Sequence, residues 1–298
     1  LHYPLRRQRQ MCIRDSLMSK PNPIPFGARF WRLWSPAWKW RKKGKGYLYP
    51  ALLLFWVLVL ASPYMLFNRM ASWPDHTPLD KETITKRDTL AFSPKDERTV
   101  WDPISIFKDS EGRYLDYKIP VVDWSIWFYI SLFVYYFGFY AAKKNDRGRA
   151  ESLIMAQGWV ISSWIAFPFF FLFPAHIDLR WQLKIDEMSA LYKLLFSSFH
   201  ALDKPFNAWP CLHIAQSFII AIGVARWWKQ RGWDWAVCLL WPAWFGLFIS
   251  VLTTKQHFIW DAIMGTLLGF GVWYGIMRPG FKHLDALNNN SLPVKNLE

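Results

Sequence analysis

The sequence predicts an all-α membrane protein that crosses the bilayer as a bundle of six helices. The 298 residues are 53% hydrophobic and 19% aromatic, and the charged residues, 19% of the chain, form short clusters between long uncharged runs. A helix needs roughly 20 consecutive apolar residues to span the hydrocarbon core. The runs are apolar around the whole helix, whereas buried helices of a soluble protein would show polar stripes at the helical period. This pattern excludes a soluble or disordered chain.

Five uncharged runs have the length of a membrane span, and a sixth reaches it when its polar entrance is included. The five runs are Tyr47 to Asn68, Trp124 to Ala142, Ser152 to Ala175, Pro205 to Ala225 and Trp235 to Thr254. The sixth goes from Ala262 to Met277 and extends back to Phe258. These boundaries predict a membrane domain over residues 47–277.

Lysine and arginine are concentrated in alternate connections, which sets the predicted orientation. Basic clusters precede the first span, separate the second from the third and the fourth from the fifth, and follow the sixth. Because cytoplasmic loops carry an excess of these residues, we expect all four segments and both termini to lie in the cytoplasm. The connections 69–123 and 176–204 and the turn around Lys255 then face the outside or periplasm.

The flanking segments are assigned from their composition. Residues 1–17 have no apolar stretch like that of a signal peptide, and we expect a non-native leader with Met18 as the start. Residues 18–46 interleave aromatic and basic side chains; they lie on the inner leaflet or form a basic flank that serves topology only. The outer loop 69–123 is expected to fold over the mouth of the site. The cytoplasmic tail is 278–298, and we expect no ordered structure after Lys282.

Charge and cysteine content exclude two further classes. The formal net charge of +14 arises from clusters at span boundaries rather than from a soluble basic domain, so we expect no nucleic-acid partner. Cys12, Cys211 and Cys238 form neither a disulfide framework nor a CxxC metal pair.

Two polar clusters enter the fourth and sixth predicted spans from the outer side. The first is Asp203-Lys204-Pro205-Phe206-Asn207-Ala208-Trp209-Pro210-Cys211-Leu212-His213, and the second is Thr253-Thr254-Lys255-Gln256-His257-Phe258-Ile259-Trp260-Asp261. Ionisable residues at membrane depth are costly and mark functional sites. From His213 the chain goes inward through one span and returns through the next. We therefore expect His213 and His257 at the same outer level.

The residue types in these clusters suit phosphoryl transfer. His257 and Asp261 are spaced i, i+4 on one helix face, and a carboxylate that accepts one imidazole N–H leaves the other nitrogen as a nucleophile. His213 can act as a general acid toward a leaving oxygen, and Lys204 and Lys255 can neutralise a phosphoryl group. Each histidine could instead be a hydrogen-bonded helix-end residue. Asp261 could pair with Lys255, and Lys204 could extend to the interface.

The two clusters resemble the second and third signature motifs of the type 2 phosphatidic acid phosphatase superfamily, which shares its helical fold with vanadium haloperoxidases. Pro210-Cys211-Leu212-His213 stands where that family has Pro-Ser-x-His, and His257 and Asp261 match the end of its Ser-Arg-x5-His-x3-Asp motif. The forms Asp-x-Pro-x-Asn-x-x-Pro-x-Leu-His and Thr-x-Gln-His are closest to the branch with inositol phosphorylceramide synthases and many bacterial membrane phosphatases. The resemblance covers about residues 152–277, the expected catalytic core.

The resemblance implies a mechanism and roles for three residues. His257 would attack phosphorus to give a phosphohistidine, Asp261 would orient it, and His213 would protonate the departing lipid oxygen. Water or another alcohol would then discharge the intermediate. The family uses no metal or other cofactor for this reaction, and none is expected here.

Three positions depart from the family pattern. Cys211 replaces the motif serine, and a thiol is a weaker hydrogen-bond donor than a hydroxyl. Ser250-Val251 occupies the Ser-Arg positions, which leaves Lys255 as a candidate for the missing charge. The first motif, Lys-x6-Arg-Pro, is absent, and Arg180 is the candidate guanidinium. The candidate substrate-binding residues are Lys204, Cys211, Lys255, Arg180 and Asn207.

The sequence therefore predicts an integral membrane enzyme that hydrolyses a lipid phosphate or pyrophosphate at the outer face of the membrane. A transferase of the same mechanism, which moves a phospho-headgroup to an alcohol acceptor, is one alternative. An inactive relative that binds a lipid phosphate without turnover is the other, and the changes at Cys211 and at the motif arginine keep it open.

Overall fold

The part of the chain that the computed structural model describes is helical and contains no β-strand. The described residues are 40–41, 43, 46–70, 103–107, 115–173, 177, 179–203, 205 and 207–289. The all-α fold class is confirmed. The predicted leader 1–17, most of segment 18–46, most of loop 69–123, residue Lys204 and the end of the tail lie outside the described residues.

Ten α-helices are found within these ranges. They are α1 Leu48–Ala61, α2 Pro63–Met70, α3 Leu115–Lys118, α4 Ile126–Tyr136, α5 Asp146–Leu172, α6 Ala190–Leu202, α7 Leu212–Lys229, α8 Asp234–Thr253, α9 Ile259–Val272 and α10 Arg278–Asn289. A 3₁₀ segment, Phe137–Ala141, continues α4, and a π-helical segment, Trp273–Met277, joins α9 to α10.

Six helical segments run back and forth between two ends of the bundle: α1–α2, α4, α5, α7, α8 and α9–α10. At one end, Ser125 before α4 lies 2.7 Å from Thr253 at the end of α8, oxygen to oxygen. At the other, Arg226 near the end of α7 donates to Glu151 near the start of α5 over 3.1 Å. We name these the site end and the far end.

Four of the segments are both long and apolar enough to cross a membrane: Leu48–Asn68, Asp146–Phe170, Asp234–Thr253 and Ile259–Ala286. The α-helical part of α4 is only 11 residues long. Helix α7 carries polar residues that the bundle buries, so its composition is less apolar. Crossing by all six segments stays a prediction.

Two predicted boundaries are wrong. The run from Pro205 is helical only from Leu212, because Pro205 and Pro210 lack the N–H that a helix interior needs. The chain after Lys282 is helical to Asn289 rather than unordered. Helix α10 is fixed by its apolar side, which buries Phe281 and Leu284, and by the ion pair of Asp285 with Arg226.

Helix α7 lies at the centre of the bundle and satisfies its polar side chains there. Gln216 donates to Ser163 of α5 over 3.0 Å, and Trp244 of α8 donates from Nε1 to Ser217 over 3.1 Å. Buried polar groups are stable inside a bundle only when they find such partners. These bonds fix the rotation of α7 about its own axis, and with it the direction in which His213 points.

A buried carboxylate joins three helices at the far end. Glu151 of α5 is 1% exposed and accepts hydrogen bonds from Arg226, Trp227 and Gln230 of α7. Asp285 of α10 pairs with the same Arg226 over 2.6 Å. Because a buried charge needs partners on every side, this cluster fixes α5, α7 and α10 relative to one another.

Helices α7 and α9 approach each other backbone to backbone at the site end. A Cβ at Gly265 would lie 2.3 Å from the carbonyl oxygen of Cys211, and one at Gly269 would lie 3.0 Å from that of Ala215. The pair forms a Gly-x-x-x-Gly pattern, whose small residues let helix backbones pack closely. The Cys211 N–H also donates to the Asp261 carbonyl over 3.0 Å. The polar clusters of the two helices are thereby held side by side.

We predict that Gly265→Ala destabilises the protein by about 1–3 kcal/mol, because the new methyl group collides with backbone that cannot yield like a flexible side chain. The matched control is Gly271→Ala in the same helix, where an added Cβ meets nothing within 4 Å. That variant should change stability by no more than about 1 kcal/mol. Thermal unfolding in detergent, followed by tryptophan fluorescence, measures both; equal effects would contradict the close packing of α7 on α9.

Candidate active site

The structure brings the three predicted catalytic residues into one hydrogen-bonded line. His213 Nδ1 lies 2.9 Å from His257 Nε2, and His257 Nδ1 lies 2.8 Å from Asp261 Oδ2. Asp261 is fully buried and His257 nearly so, whereas the His213 side chain is 17% exposed. Since the Asp261 carboxylate accepts the Nδ1 proton, the lone pair of His257 lies on Nε2, toward His213.

The local sequence explains how His257 and Asp261 meet. Helix α9 begins at Ile259, and its first-turn N–H is capped by the Asp116 carboxylate, with the Ile259 nitrogen 2.6 Å from Oδ1. Two residues earlier, His257 N–H donates to the Val251 carbonyl over 3.0 Å, which closes the turn after α8. The i, i+4 spacing then stacks imidazole and carboxylate on one side of the helix start.

A second carboxylate lies on the far side of His213. Asp203 Oδ2 is 3.7 Å from His213 Nε2, and Oδ1 accepts the Tyr64 hydroxyl proton over 2.6 Å. The Tyr129 hydroxyl is 3.3 Å from the same His213 nitrogen. Each imidazole therefore has a carboxylate behind it, Asp203 for His213 and Asp261 for His257.

Arg180 reaches the site and links the two polar clusters. One guanidinium nitrogen donates to the Asp203 carbonyl over 3.0 Å and to Gln256 Oε1 over 2.9 Å. Burial lowers the pKa of this arginine, and the nearby Asp203 charge opposes that shift. Its Nε is buried and has no hydrogen-bond partner among the described residues. A buried cation with an unused donor at this position can bind an anion.

Gln256 is held by charged and polar neighbours. Its Nε2 donates to the Thr254 carbonyl and lies 3.1 Å from Nε2 of His200, which acts as the acceptor. Burial, and the positive charge of Arg180, lower the pKa of His200 to about 4. His200 is therefore neutral at physiological pH, which suits its role as acceptor.

Two predicted substrate-binding residues lie beside the histidines. Cys211 is fully buried, with its Sγ 4.0 Å from His213 Nδ1. Asn207 donates from Nδ2 to the Tyr64 carbonyl over 3.4 Å, while its buried Oδ1 has no partner among the described residues. Their contact with a substrate stays a prediction.

Lys255 is buried with its ammonium on backbone carbonyls. Its Nζ donates to the carbonyl oxygens of Asp116 and Ile119 over 3.3 and 2.6 Å. Asp261 bonds His257 and not Lys255, which was the alternative partner. Burial lowers the pKa of Lys255 to about 8, and the Asp116 charge opposes that shift. Burial also raises the pKa of Asp116. In this conformation Lys255 fixes segment 115–119 over the turn that carries His257.

Tyr64, Tyr129 and Asp116 touch the site although no motif marks them. The two tyrosines lie within apolar runs, and Asp116 lies in a loop of mixed charge, so no spacing distinguishes them from their neighbours. Asp203 is different, because it opens the first polar cluster. An acidic residue ten positions before a candidate histidine was the available signal.

A cleft of about 170 Å³ leads to His213 between α1–α2 and the centre of the bundle. Its wall on the α1–α2 side includes Leu58, Ala61 and Met65, and the opposite wall includes His213 and Gln216. Leu58 and Met65 are each more than 40% exposed. The cleft therefore joins an apolar surface to the exposed edge of the histidine pair.

One group of side chains in the described part of the chain places three atoms of metal-ligating type close together. Ligand atoms of Cys211, His213 and His257 all lie within 4.8 Å of one another.

Residues 114–275, more than half of the chain, match a protein-family model described as the PAP2 superfamily. The matched region contains Arg180, Cys211, His213, His257 and Asp261. The match identifies a superfamily and no branch within it. No curated protein and no solved structure matches the chain.

We predict that Lys255 makes stability rise with pH. Its folded-state pKa of about 8 lies below the ordinary 10.5, so between these values the unfolded chain holds a proton that the folded chain has released, and folding becomes more favourable as pH increases. From about pH 7 to about pH 9.5, the wild type should gain about 1–2 kcal/mol relative to Lys255→Met.

Thermal unfolding at the two pH values measures this gain. The control is Lys184→Met, whose ammonium is largely exposed and pairs with an exposed Glu187. It should follow the wild type at both pH values. Parallel pH curves for the wild type and Lys255→Met would show that the Lys255 ammonium is not held in the buried position.

Proposed function

The chain belongs to the PAP2 (type 2 phosphatidic acid phosphatase) superfamily, and from that premise we propose that it is an integral membrane enzyme that hydrolyses a lipid phosphate or pyrophosphate through a phosphohistidine at His257. One observation carries the proposal: His213, His257 and Asp261 lie in line, with contacts of 2.9 and 2.8 Å. A buried carboxylate, a nucleophilic nitrogen and a second imidazole in this order suit nucleophilic catalysis with general acid–base assistance.

The first step transfers the phosphoryl group to the enzyme. Asp261 holds the Nδ1 proton of His257, so Nε2 attacks phosphorus, an N–P bond forms, and the P–O bond to the lipid breaks. His213 gives its Nδ1 proton to the leaving lipid oxygen. Asp203 Oδ2 lies 3.7 Å from Nε2, which places a carboxylate beside the imidazolium that supplies this proton.

The second step returns the enzyme to its starting state. His213, now neutral, takes a proton from water as the water oxygen attacks phosphorus, and the N–P bond to His257 breaks. Inorganic phosphate leaves, and His213 is again protonated. An alcohol in place of water would give a transferase by the same steps.

Phosphate binding requires the two imidazoles to separate. A contact of 2.9 Å between nitrogens leaves no room for a phosphorus atom and its oxygens. The His213 side chain is 17% exposed whereas that of His257 is 5% exposed, so we propose that the His213 ring turns away as substrate enters. Arg180, whose Nε is unpaired, then neutralises the phosphoryl oxygens in place of the missing motif arginine.

We further propose six spans, a site at the outer face and cytoplasmic termini. The distribution of charge supports this orientation: Lys143, Arg147, Lys229 and Arg278 lie around the far end of the bundle, opposite the histidines. Basic residues accumulate on the cytoplasmic side. The site end is then the outer end, with the catalytic core in residues 152–277.

The cleft supports a lipid rather than a soluble substrate. Its α1–α2 wall presents Leu58, Ala61 and Met65, which would contact an acyl or prenyl chain while the phosphate reaches His213. A lipid could thus enter sideways from the bilayer without leaving it.

We predict that the detergent-purified protein releases inorganic phosphate from a lipid phosphate in the presence of EDTA. His257→Ala and Asp261→Asn should each lower the rate by at least about 10³-fold, because one removes the nucleophile and the other its orienting charge. His283→Gln at the far end is the control and should leave the rate unchanged. Rapid quenching with ³²P-labelled substrate should trap an acid-labile, alkali-stable phosphoenzyme that His257→Ala lacks.

The outcomes separate the alternatives. Release that survives His257→Ala would refute the mechanism. A phosphoenzyme discharged only by added alcohol would identify a transferase. Binding of a lipid phosphate without phosphoenzyme or release would identify an inactive binder.

We predict that Ala61→Trp, which fills the cleft, lowers kcat/KM for a long-chain lipid phosphate by about tenfold or more, and lowers it less for a short soluble phosphate ester. The matched control is Val59→Trp, two residues earlier on α1, where the side chain is exposed and does not line the cleft. Equal losses for long and short substrates would contradict sideways entry along this wall.

A further inference from the structure

A thiol stands beside two facing imidazoles at the centre of the site. Cys211 Sγ is 4.0 Å from His213 Nδ1, which is 2.9 Å from His257 Nε2, and all three ligand atoms lie within 4.8 Å of one another. Tetrahedral Zn²⁺, with Zn–N about 2.0–2.1 Å and Zn–S about 2.3 Å, holds its ligand atoms about 3.3–3.6 Å apart. Movements of each ligand atom by about 1 Å or less would therefore bring the three atoms to the separations of zinc ligands.

A hydrogen bond to a carboxylate already orients His257 as a metal ligand. His257 donates its Nδ1 proton to Asp261 over 2.8 Å, which leaves the Nε2 lone pair pointing at His213. On His213, Nε2 lies 3.7 Å from Asp203 Oδ2 and 3.3 Å from the Tyr129 hydroxyl, so the ring proton can move to that nitrogen. The cation would then replace the proton that Nδ1 and His257 Nε2 share. Metal-bound histidines characteristically donate their other N–H to a carboxylate, as His257 does to Asp261.

The charges around the three ligands favour a divalent cation. Binding releases the Cys211 proton to solvent, and the thiolate with the Asp203 and Asp261 carboxylates then supplies three negative charges around two neutral imidazoles. Asp261 Oδ1 is buried and has no hydrogen-bond partner in the described part of the chain. The positive charge of Arg180 lies at the edge of this cluster, where one guanidinium nitrogen donates to the Asp203 carbonyl and to Gln256.

We propose that Cys211, His213 and His257 form an inhibitory site for a thiophilic divalent cation such as Zn²⁺, with a fourth position open to water. The cation takes the Nε2 lone pair of His257, which is the lone pair that attacks phosphorus, so cation and substrate exclude each other. Inhibition rests on the proposed function, whereas binding does not. A serine at position 211 would remove the thiolate, which is the soft ligand that holds such ions.

The binding test uses Co²⁺ as a spectroscopic probe for Zn²⁺, on full-length protein in which Cys12 and Cys238 are replaced by Ser. One Co²⁺ per chain should bind with a sulfur-to-cobalt charge-transfer band and tetrahedral d–d bands, and Zn²⁺ should displace it. Cys211→Ser should abolish the charge-transfer band. The matched control is Cys238→Ser in the otherwise unchanged chain. This substitution is at an exposed cysteine and should keep the charge-transfer band.

A second variant tests the site in case Cys211→Ser does not fold. Asp261→Asn keeps all three ligands and weakens only the carboxylate behind His257, so Zn²⁺ affinity should fall about 10- to 100-fold while the charge-transfer band of bound Co²⁺ remains. Absence of the band in the starting protein, or its persistence in Cys211→Ser, would overturn the proposal.

The activity test is read separately. Zn²⁺ should inhibit phosphate release and EDTA should relieve the inhibition, with Cys211→Ser requiring at least about tenfold more Zn²⁺ for half-inhibition of its own activity. Activity that is insensitive to Zn²⁺ in a protein that binds Co²⁺ would overturn the inhibitory role alone. Were no lipid phosphate hydrolysed at all, the cobalt spectra would still decide whether the site exists.

Discussion

The close approach of α7 to α9 is the constraint on which the rest of the site depends. Gly265 lets the backbone of α9 contact the backbone at Cys211, and the Cys211 N–H bonds the Asp261 carbonyl. His213 is two residues beyond one partner of this contact, and His257 is four residues before the other. The 2.9 Å contact between their ring nitrogens therefore follows from a backbone fit between rigid helices, not from the side chains alone.

At the far end, the ion pair of Glu151 with Arg226 also fixes α7, because one buried carboxylate holds it against α5. The helix that carries His213 is thus held at both ends.

Those features of the site that obey a local rule could be predicted from the sequence. The i, i+4 spacing of His257 and Asp261 determines their contact once a helix starts near Ile259, and the alternation of runs and basic loops places His213 near His257. The proximity of Arg180 could be suggested, but its link between Asp203 and Gln256 depends on how the loop 177–189 folds. Tyr64 and Tyr129 could not be predicted, because a tyrosine within an apolar run resembles any interfacial aromatic until the packing of neighbouring helices is known. Helix α10 was missed because Asp285 is stabilised by Arg226, a residue distant in sequence.

The sequence predicts the position of Lys255 but not its hydrogen bonds. Its position in the turn after α8 follows from the spans on either side, and its backbone there adopts a left-handed conformation with φ of 58°. A non-glycine residue adopts the left-handed region at a cost in free energy, and contacts of the surrounding structure must offset that cost. The two carbonyl bonds of its ammonium do so, and they attach segment 115–119 to the turn. Asp116 in that segment then caps α9 at Ile259. A single buried cation therefore connects a loop that carries no motif to the turn that precedes the candidate nucleophile.

The proposed reaction and the proposed cation site both use the lone pair of His257 Nε2. His257 Nε2 is buried, oriented by Asp261 and opposed by His213, so it can hold a proton, a phosphoryl group or a metal ion, and only one at a time. Arg180 favours the phosphoryl group because its unpaired Nε offers an anion a donor. Cys211 favours a soft cation because its Sγ lies 4.0 Å from the facing histidine. Changing a hydroxyl to a thiol at this position weakens a phosphate contact and strengthens a metal contact with the same atom. Under the two proposals, a thiol at position 211 would shift the balance between a phosphoryl group and a cation at His257 Nε2, while the packing of α7 on α9 would stay the same.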